Sequence, residues 1–344
     1  MGLLRRNQAI LGIDLGTDSI KAVEGVRDGE DILITGYGQI EVPSQEARAD
    51  ALSDLLRHCG FRSRQAATAV SGRSVIVRFL NMVEMPVENL KNAIRYEADK
   101  YIPFDLEEVV LDFHRLEEAV GLNKNEMKVL LVAVKREVIQ EQVRLLTTAG
   151  LQPTTIDVDA FALGNAFVLA KRRESAEAGG RIAALVDIGS SKTSINILRG
   201  EESFFAREVY MGGGDFSSAI AKRFGIEPYE AEQLKRNPAE REQEVQDAVL
   251  GAIEELGNEV DLSFDFFENQ SDARVEEVFL SGGGSCLPGL DAALERIFER
   301  KTSGWDPSAG VVVREDSVDV ELMKENAPSL AVAVGLASRL GKEP

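Results

Sequence analysis

Leu11-Gly12-Ile13-Asp14-Leu15-Gly16-Thr17-Asp18-Ser19-Ile20-Lys21 is the stretch of sequence that decides the fold. An apolar run ends at Asp14, and Gly16 allows a tight reversal before a second apolar run, so the segment predicts a β-hairpin. Its turn suits a phosphate, because glycine lets the backbone come close, hydroxyls and amides donate hydrogen bonds, and Lys21 adds positive charge. Asp14 is suited to orient a hydrated divalent ion. Taken alone, the stretch fits an ordinary Asp-x-Gly turn at least as well.

The same order of residue types recurs in the second half of the chain. Asp187 closes an apolar run, and the turn residues Gly189, Ser190, Ser191, Lys192 and Thr193 follow. Two such hairpins, 173 residues apart (187 minus 14), predict two related domains that each give one phosphate-binding turn to a shared cleft. A third turn, Ser281-Gly282-Gly283-Gly284-Ser285, suits the close approach of a base or ribose. A flexible loop is the alternative for this third turn.

Length and charge narrow the class of protein. The 344 residues suit two domains of about 170 residues each. A formal net charge of -19 argues against nucleic acid as a partner. No apolar run approaches the roughly 20 residues that cross a bilayer, and the N-terminus lacks a signal-peptide core, so we expect a cytoplasmic protein. The chain has two cysteines, which we expect to be reduced thiols. It has two histidines, too few for a histidine-rich metal site.

The three turns resemble the two phosphate motifs and the adenosine motif of the actin-like ATPase superfamily. Small-residue helices predicted at 160–170 and 329–340 resemble its two connecting helices. The resemblance implies an α/β, actin-like (ribonuclease H-like) two-domain ATPase fold that binds ATP and Mg²⁺. It also implies that Asp14 and Asp187 face the Mg²⁺, largely through water. The implied nucleotide contacts are Gly16, Thr17, Asp18, Ser19, Lys21, Gly189, Ser190, Ser191, Lys192, Thr193, Gly213, Glu232, Lys235, Gly282, Gly283, Gly284 and Ser285.

Asp159 completes the expected catalytic set with Asp14 and Asp187. It precedes the first connecting helix, where the superfamily carries a polar or acidic residue that positions the attacking water. A helix N-cap is the equally weighted alternative for Asp159. Glu232 and Lys235 share one face of a predicted helix, and an ordinary surface ion pair is the alternative to nucleotide contact there. We therefore expect an ATP-binding protein with at most slow ATPase activity.

A second group of motifs narrows the resemblance to one family. These motifs are Met85-Pro86, Glu97-Ala98, Tyr101-Ile102-Pro103-Phe104, Asp112-Phe113, Arg207-Glu208 and Gly212-Gly213-Gly214-Asp215. From Ile10 to Leu340 the chain resembles the PilM family of cytoplasmic, actin-like proteins of the type IV pilus assembly machinery. This resemblance implies an inserted α+β subdomain of the 1C type, shared with FtsA, which takes the N-terminal tail of PilN. Tyr101, Ile102, Pro103 and Phe104 are the expected partner contacts, with Ile102 and Phe104 as core residues the equally weighted alternative.

The resemblance also divides the chain. Subdomain 1A is expected at 1–74 and 148–175, and subdomain 1C at 75–147. Subdomain 2A is expected at 176–215 and 272–327, subdomain 2B at 216–271, and a closing helix at 328–344.

The implied function is the ATP-binding component of the type IV pilus inner-membrane platform. It would bind PilN, link PilN to the pilus motor ATPases, and reach the membrane only through partners; a homo-oligomeric ring is compatible with this role. An FtsA-like filament or scaffold protein is one alternative, although its C-terminal membrane-binding helix is expected to be missing here. A GspL-like component of type II secretion is another, but it would continue into a transmembrane helix. A sugar kinase would need a larger substrate domain and a catalytic base.

Overall fold

The chain alternates strands and helices throughout the residues that this computed structural model describes, which are 9–29, 31–117, 125–174 and 181–339. The strands are β1 (Ala9–Leu15), β2 (Ser19–Asp28), β3 (Asp31–Glu41), β4 (Gln65–Val70), β5 (Val75–Val83), β6 (Val109–Arg115), β7 (Glu126–Lys135), β8 (Gln152–Val158), β9 (Ile182–Ile188), β10 (Thr193–Arg199), β11 (Glu202–Val209), β12 (Glu277–Ser281), β13 (Lys301–Gly304) and β14 (Val312–Val313). The helices are α1 (Arg48–Cys59), α2 (Val87–Ala98), α3 (Arg136–Thr148), α4 (Asp159–Glu174), α5 (Gly213–Phe224), α6 (Pro228–Arg236), α7 (Glu242–Ser271), α8 (Leu290–Phe298), α9 (Val320–Glu325) and α10 (Ala331–Ala337).

The first sheet has the strand order β14-β3-β2-β1-β4-β8. Its β1–β2 hairpin confirms the hairpin predicted from the sequence, and its register places Asp14 opposite Lys21. On the other side of β1 the sheet continues with β4, which runs parallel to β1, and then with β8, which runs parallel to β4. Apolar residues of alternate positions, such as Leu11, Ile13 and Ile20, pack beneath it against α1. The hairpin turn is therefore held at one edge of a rigid core.

The second sheet repeats this arrangement with the order β11-β10-β9-β12-β13. The β9–β10 hairpin is antiparallel and places Ser194 opposite Asp187, while β12 runs parallel to β9. The helices α5, α7 and α8 bury large residues such as Phe216 and Phe264 with this sheet. Asp14 and Asp187 thus stand at equivalent ends of equivalent strands, as the duplicated sequence pattern predicts.

The third sheet, β5-β7-β6, forms the insertion together with α2. We expected this insertion to reach residue 147, but α3 packs on the first sheet, where Leu146 shares a core with Leu52 and Leu151. The three-stranded sheet therefore ends with β7. A similar difference occurs near the C-terminus, because β14 pairs with β3 of the first sheet. The chain returns to the first sheet before residue 327, where we had placed that boundary.

Two helices of small residues, α4 and α10, cross between the two large sheets. At Gly335 an added Cβ would lie 1.8 Å from the carbonyl oxygen of Ala162, and at Gly12 an added Cβ would lie 2.3 Å from that of Ala333. Backbones this close require glycine at both positions. α10 is shorter than the predicted 329–340 helix, because a 3₁₀ turn at Ala327–Leu330 precedes it and residues 340–344 lie outside the described part of the chain. None of the helices in the described ranges combines the length and apolar character needed to span a bilayer.

Candidate functional site

A cavity of about 520 Å³ lies between the first and second sheets, a volume typical of small-molecule sites. Both hairpin turns and the glycine-rich turn after β12 line it. Asp14 and Asp187 both face this one cavity, as the sequence predicts. Asp159 lines it as well, and so do all but two of the residues expected to contact nucleotide.

The first turn is organised by an ion pair. Lys21 Nζ donates to Asp14 Oδ2 at 3.0 Å, across the register of β1 and β2. Burial alone lowers the pKa of Lys21, but the Asp14 carboxylate, with contributions from Asp187 and Asp159, raises it above the ordinary value. Lys21 therefore stays positively charged at the floor of the cavity. Arg48, at the start of α1, donates to the Gly16 carbonyl at 3.0 Å.

The second turn carries a carboxylate in an unusual state. Ser281 Oγ donates to Asp187 Oδ1 at 2.8 Å. Burial raises the pKa of Asp187 to about 6, with a further rise from the Asp14 charge, and the hydrogen bond from Ser281 only partly opposes this. An anionic Asp187 is therefore costly even though the Lys21 charge also lowers its pKa, and a further cation such as a metal ion would reduce that cost.

Lys192 forms the second ion-paired group of the cavity. Its Nζ donates to Asp159 Oδ2 at 2.8 Å and to Glu208 Oε1 at 3.1 Å. Burial lowers the pKa of Lys192, but the two carboxylates outweigh burial and the net pKa is raised. The Asp159 carboxylate at the first residue of α4 is thus bound to a lysine at the cavity wall.

The two turns touch each other across the cavity. Thr17 Oγ1 and Ser191 Oγ are 2.8 Å apart, and Ser190 Oγ donates to Asp18 Oδ2. These hydroxyl contacts join the first and second sheets at the point where both turns offer hydrogen-bond donors. The spacing between the turns is therefore set by side chains that phosphate oxygens can replace.

The far end of the cavity is built from glycine turns and α6. Gly282 has a φ of +85°, and a Cβ there would lie 2.3 Å from the Ile188 carbonyl oxygen, so glycine is required. Lys235 Nζ is 2.6 Å from Glu232 Oε2 and donates to the Gly213 carbonyl at 2.8 Å. Lys235 is only 9% exposed, so this pair is not an ordinary surface ion pair. Burial would raise the pKa of Glu232, but hydrogen bonds from Lys235 and Ser217 lower it overall.

α5 begins at Gly213, directly after the glycine turn that ends β11. The amides of Gly213 and Gly214 donate to the carbonyls of Gly189 and Ser190 at 2.8 Å each. These bonds fasten the second phosphate-type turn to the helix. They also bring Gly213 to the cavity wall, as expected.

Two expected nucleotide contacts do not line the cavity. Thr193 is fully buried, and its Oγ1 donates to the Met211 carbonyl at 2.8 Å because the first residue of β10 points into the core. Ser285 turns its hydroxyl back onto the Gly282 carbonyl at 2.7 Å, within the 3₁₀ turn. Both residues support the turns from behind.

Other cavity residues were not predicted. Three of them are Arg48, Gln142 and Asn326, which lie in helices or turns far in sequence from the glycine-containing turns. No spacing pattern in the sequence indicates that they line the cavity. Arg236 also lines it, and its Nε donates to Glu232 Oε1 at 2.9 Å. The i,i+4 spacing of Glu232 and Arg236 was a signal that could have identified this contact.

The expected partner segment is divided between surface and core. Tyr101 is 43% exposed and Pro103 is exposed. Ile102 is buried with α2 residues, so the core alternative describes its position. Phe104 is half-buried, with Lys135 Nζ 4.9 Å from the centre of its ring. Tyr101 and Pro103 are the exposed members of this segment.

Comparison with known proteins decides the family. A family model described as type IV pilus assembly protein PilM matches residues 12–340. The chain belongs to the PilM family. A chain of a solved PilM–PilN type IV pilus biogenesis complex is 32% identical, with a TM-score of 0.85 and coverage of 97% of this chain and 99% of that chain. This PilM-family chain is therefore a component of the type IV pilus assembly machinery.

Two more distant relatives share the fold. The cell division protein FtsA of Bacillus subtilis (strain 168) is 21% identical, over 89% of this chain and 80% of its own length. MreB5 of Spiroplasma citri, solved with AMPPNP bound, is 10% identical with a TM-score of 0.51, covering 96% of each chain. These likenesses bear on the fold, which is the predicted actin-like α/β fold.

Proposed function

We propose that this PilM-family chain binds ATP with Mg²⁺ in the cavity between its two large sheets. The observation that carries the proposal is that two equivalent hairpins bring Asp14 and Asp187 into one cavity whose turns are rich in hydroxyls and amides. The described residues contain no cluster of three or more histidine, cysteine, aspartate or glutamate residues placed to hold a metal. Mg²⁺ fits the pair of Asp14 and Asp187, since this ion keeps most of its waters and binds through one or two carboxylates plus phosphates.

The nucleotide parts have distinct places in this proposal. The turns 16–19 and 189–192, with Lys21, hold the phosphates. Glu232 and Lys235 lie at the opposite end with the glycine turn 282–284, where the sugar and base can approach the backbone closely. A bound Mg²⁺ would neutralise charge on the phosphates, and the turns of the chain would orient them.

Hydrolysis is slow in this proposal because the water-positioning group is already engaged. The Asp159 carboxylate accepts from Lys192 at 2.8 Å, and Lys192 also binds Glu208. An attacking water molecule must compete with Lys192 for the Asp159 carboxylate, so the nucleotide state changes slowly.

The partner in this proposal is the N-terminal tail of PilN. Tyr101 and Pro103 offer an exposed apolar surface just after α2 in the insertion. A surface depression of about 340 Å³ lies on α3, lined by Ile139, Gln140, Val143 and Arg144. The first residue of α3 is joined to the insertion, because the Arg136 amide donates to the Glu108 carbonyl at 2.8 Å.

α3 connects the nucleotide cavity with this partner surface. Val138 and Gln142 line the cavity, while Ile139 and Val143 line the outer depression. A movement of α3 on nucleotide binding therefore alters the PilN surface. Attachment to the inner membrane through PilN, and a link from PilN to the motor ATPases, complete the proposal and rest on the family and on the solved PilM–PilN complex.

Calorimetry tests the nucleotide half of the proposal. Asp14→Asn should weaken Mg²⁺–ATP binding at least about tenfold, because the pairing of metal and carboxylate is lost. Asp28→Asn, at the exposed end of β2, is the matched control and should bind as the unmodified chain does. Equal ATP affinity in all three proteins would disprove the assignment of this cavity.

The partner half is tested with a PilN tail peptide. Tyr101→Glu should weaken peptide binding and leave ATP affinity unchanged, because it places a charge on the apolar contact surface. Tyr96→Glu is the control, since Tyr96 is 74% exposed in the same subdomain and lies outside the proposed contact. If Tyr101→Glu binds the peptide normally, Tyr101 is not part of the contact.

A further inference from the structure

The cations that line the cavity are paired with carboxylates, with one exception. Lys21 binds Asp14, Lys192 binds Asp159 and Glu208, and both Lys235 and Arg236 bind Glu232. Arg48 differs from them. Among the residues that the structure describes, no carboxylate lies within ion-pair distance of its guanidinium.

Arg48 also has unused hydrogen-bond donors. A guanidinium carries five N–H groups, and the contact seen here is one bond from a terminal nitrogen to the Gly16 carbonyl at 3.0 Å. The Nε atom is buried without an acceptor. A buried, unpaired donor on a charged group is unfavourable, so an anion bound at this part of the cavity would be stabilised by Arg48.

The position of Arg48 indicates which anion it can bind. Its bond to Gly16 places it at the turn of the first hairpin, where Thr17 meets Ser191. The glycine turn 282–284 and Lys235 lie in the other wall of the cavity, where the proposed function places the sugar and base. A triphosphate that extends from there reaches the Gly16 turn with its last phosphate.

We propose that Arg48 binds the terminal phosphate of ATP and gives the site its preference for ATP over ADP. This inference rests on the proposed nucleotide binding. Arg48 is suited to the role because a guanidinium binds phosphate oxygens in pairs, and because its bond to Gly16 already orients it. The start of α1 then senses whether the third phosphate is present.

The experiment is calorimetry with Mg²⁺–ATP and Mg²⁺–ADP on the full chain and on Arg48→Gln, Arg48→Lys and Arg57→Gln. Arg57 lies on the same helix, is exposed and pairs with Asp54, so Arg57→Gln is a matched control. Arg48→Gln should lose about ten- to a hundred-fold in ATP affinity, with less than a threefold change for ADP. Arg48→Lys should recover part of the loss, because it keeps the charge without the paired donors.

The possible results distinguish a failure of the role of Arg48 from a failure of nucleotide binding itself. Equal losses for ATP and ADP in Arg48→Gln, or no loss for either, would overturn the role of Arg48 while leaving nucleotide binding intact. An unmodified chain that binds neither nucleotide would overturn the proposed function and this inference together. Thermal melting of each variant shows whether it is folded, and Arg48→Lys gives the answer if Arg48→Gln is not.

Discussion

Gly335→Ala tests the packing that positions both halves of the site. The added Cβ would lie 1.8 Å from the Ala162 carbonyl oxygen, where Cβ atoms do not approach within 3.0 Å. The helices α4 and α10 must therefore separate by at least 1.2 Å at this point (3.0 minus 1.8). The obstacle is backbone on the facing helix, so no side-chain rotation relieves the overlap.

The expected loss of stability is about 2–2.5 kcal/mol. Overpacking typically costs 1–3 kcal/mol, and a backbone overlap belongs at the upper end, whereas alanine in a helix recovers about 0.5–1 kcal/mol relative to glycine. Gly251→Ala in α7 is the matched control, because nothing lies within 4 Å of its added Cβ. That variant should gain up to about 1 kcal/mol.

The assays are urea unfolding and ATP calorimetry. α4 begins at Asp159, and Asn326 and Ser329 come shortly before α10. All three residues line the cavity, close in sequence to the point where the two helices cross. A shift above 1 Å there should weaken ATP binding at least about tenfold, since misplacement on this scale costs up to a hundredfold in other sites. If Gly335→Ala unfolds at the same urea concentration as the unmodified chain, the close approach of α4 and α10 is refuted.

Two further predictions concern the carboxylates of Asp187 and Glu24. The pKa of an ordinary aspartate is 3.8, whereas that of Asp187 in the fold is about 6. Between these two pH values the folded state keeps a proton that the unfolded chain has lost. The free energy of unfolding should therefore fall by up to about 3 kcal/mol as pH rises from 3.8 to 6. Urea unfolding across this range checks it, and an unchanged pH profile in Asp187→Asn would contradict it. Glu24, 3% exposed, accepts from the Arg62 amide at 2.7 Å, the Ser63 amide at 2.6 Å and Thr35 Oγ1 at 2.8 Å. Glu24→Ala should cost about 3 kcal/mol in urea unfolding, because buried amides lose their acceptor; a change below about 1 kcal/mol would show that water or another group replaces the carboxylate.

The duplicated hairpins could be predicted from sequence because strand alternation and turn glycines are local signals. The same holds for the small residues of α4 and α10, whose spacing is visible without a structure. Short elements gave no such signal. β13 has four residues and α9 has six, and neither is long enough to show a period.

Side-chain direction was the second limit. By its order in the chain, Thr193 belongs to a phosphate-type turn. As the first residue of β10, however, it points its side chain into the core, where it binds the Met211 carbonyl. Ile102 precedes a proline at a helix end, and only packing with α2 decides that it is buried. Arg48 reaches Gly16 from 32 positions away, so its place in the cavity depends on how α1 packs on the first sheet.

A crystal structure of the chain with Mg²⁺ and a non-hydrolysable ATP analogue tests the central claim most directly. The account predicts a triphosphate between the turns 16–19 and 189–192, with the metal ion reached by both Asp14 and Asp187 through water. A nucleotide bound elsewhere, or a metal ion that only one of these carboxylates can approach, would contradict it.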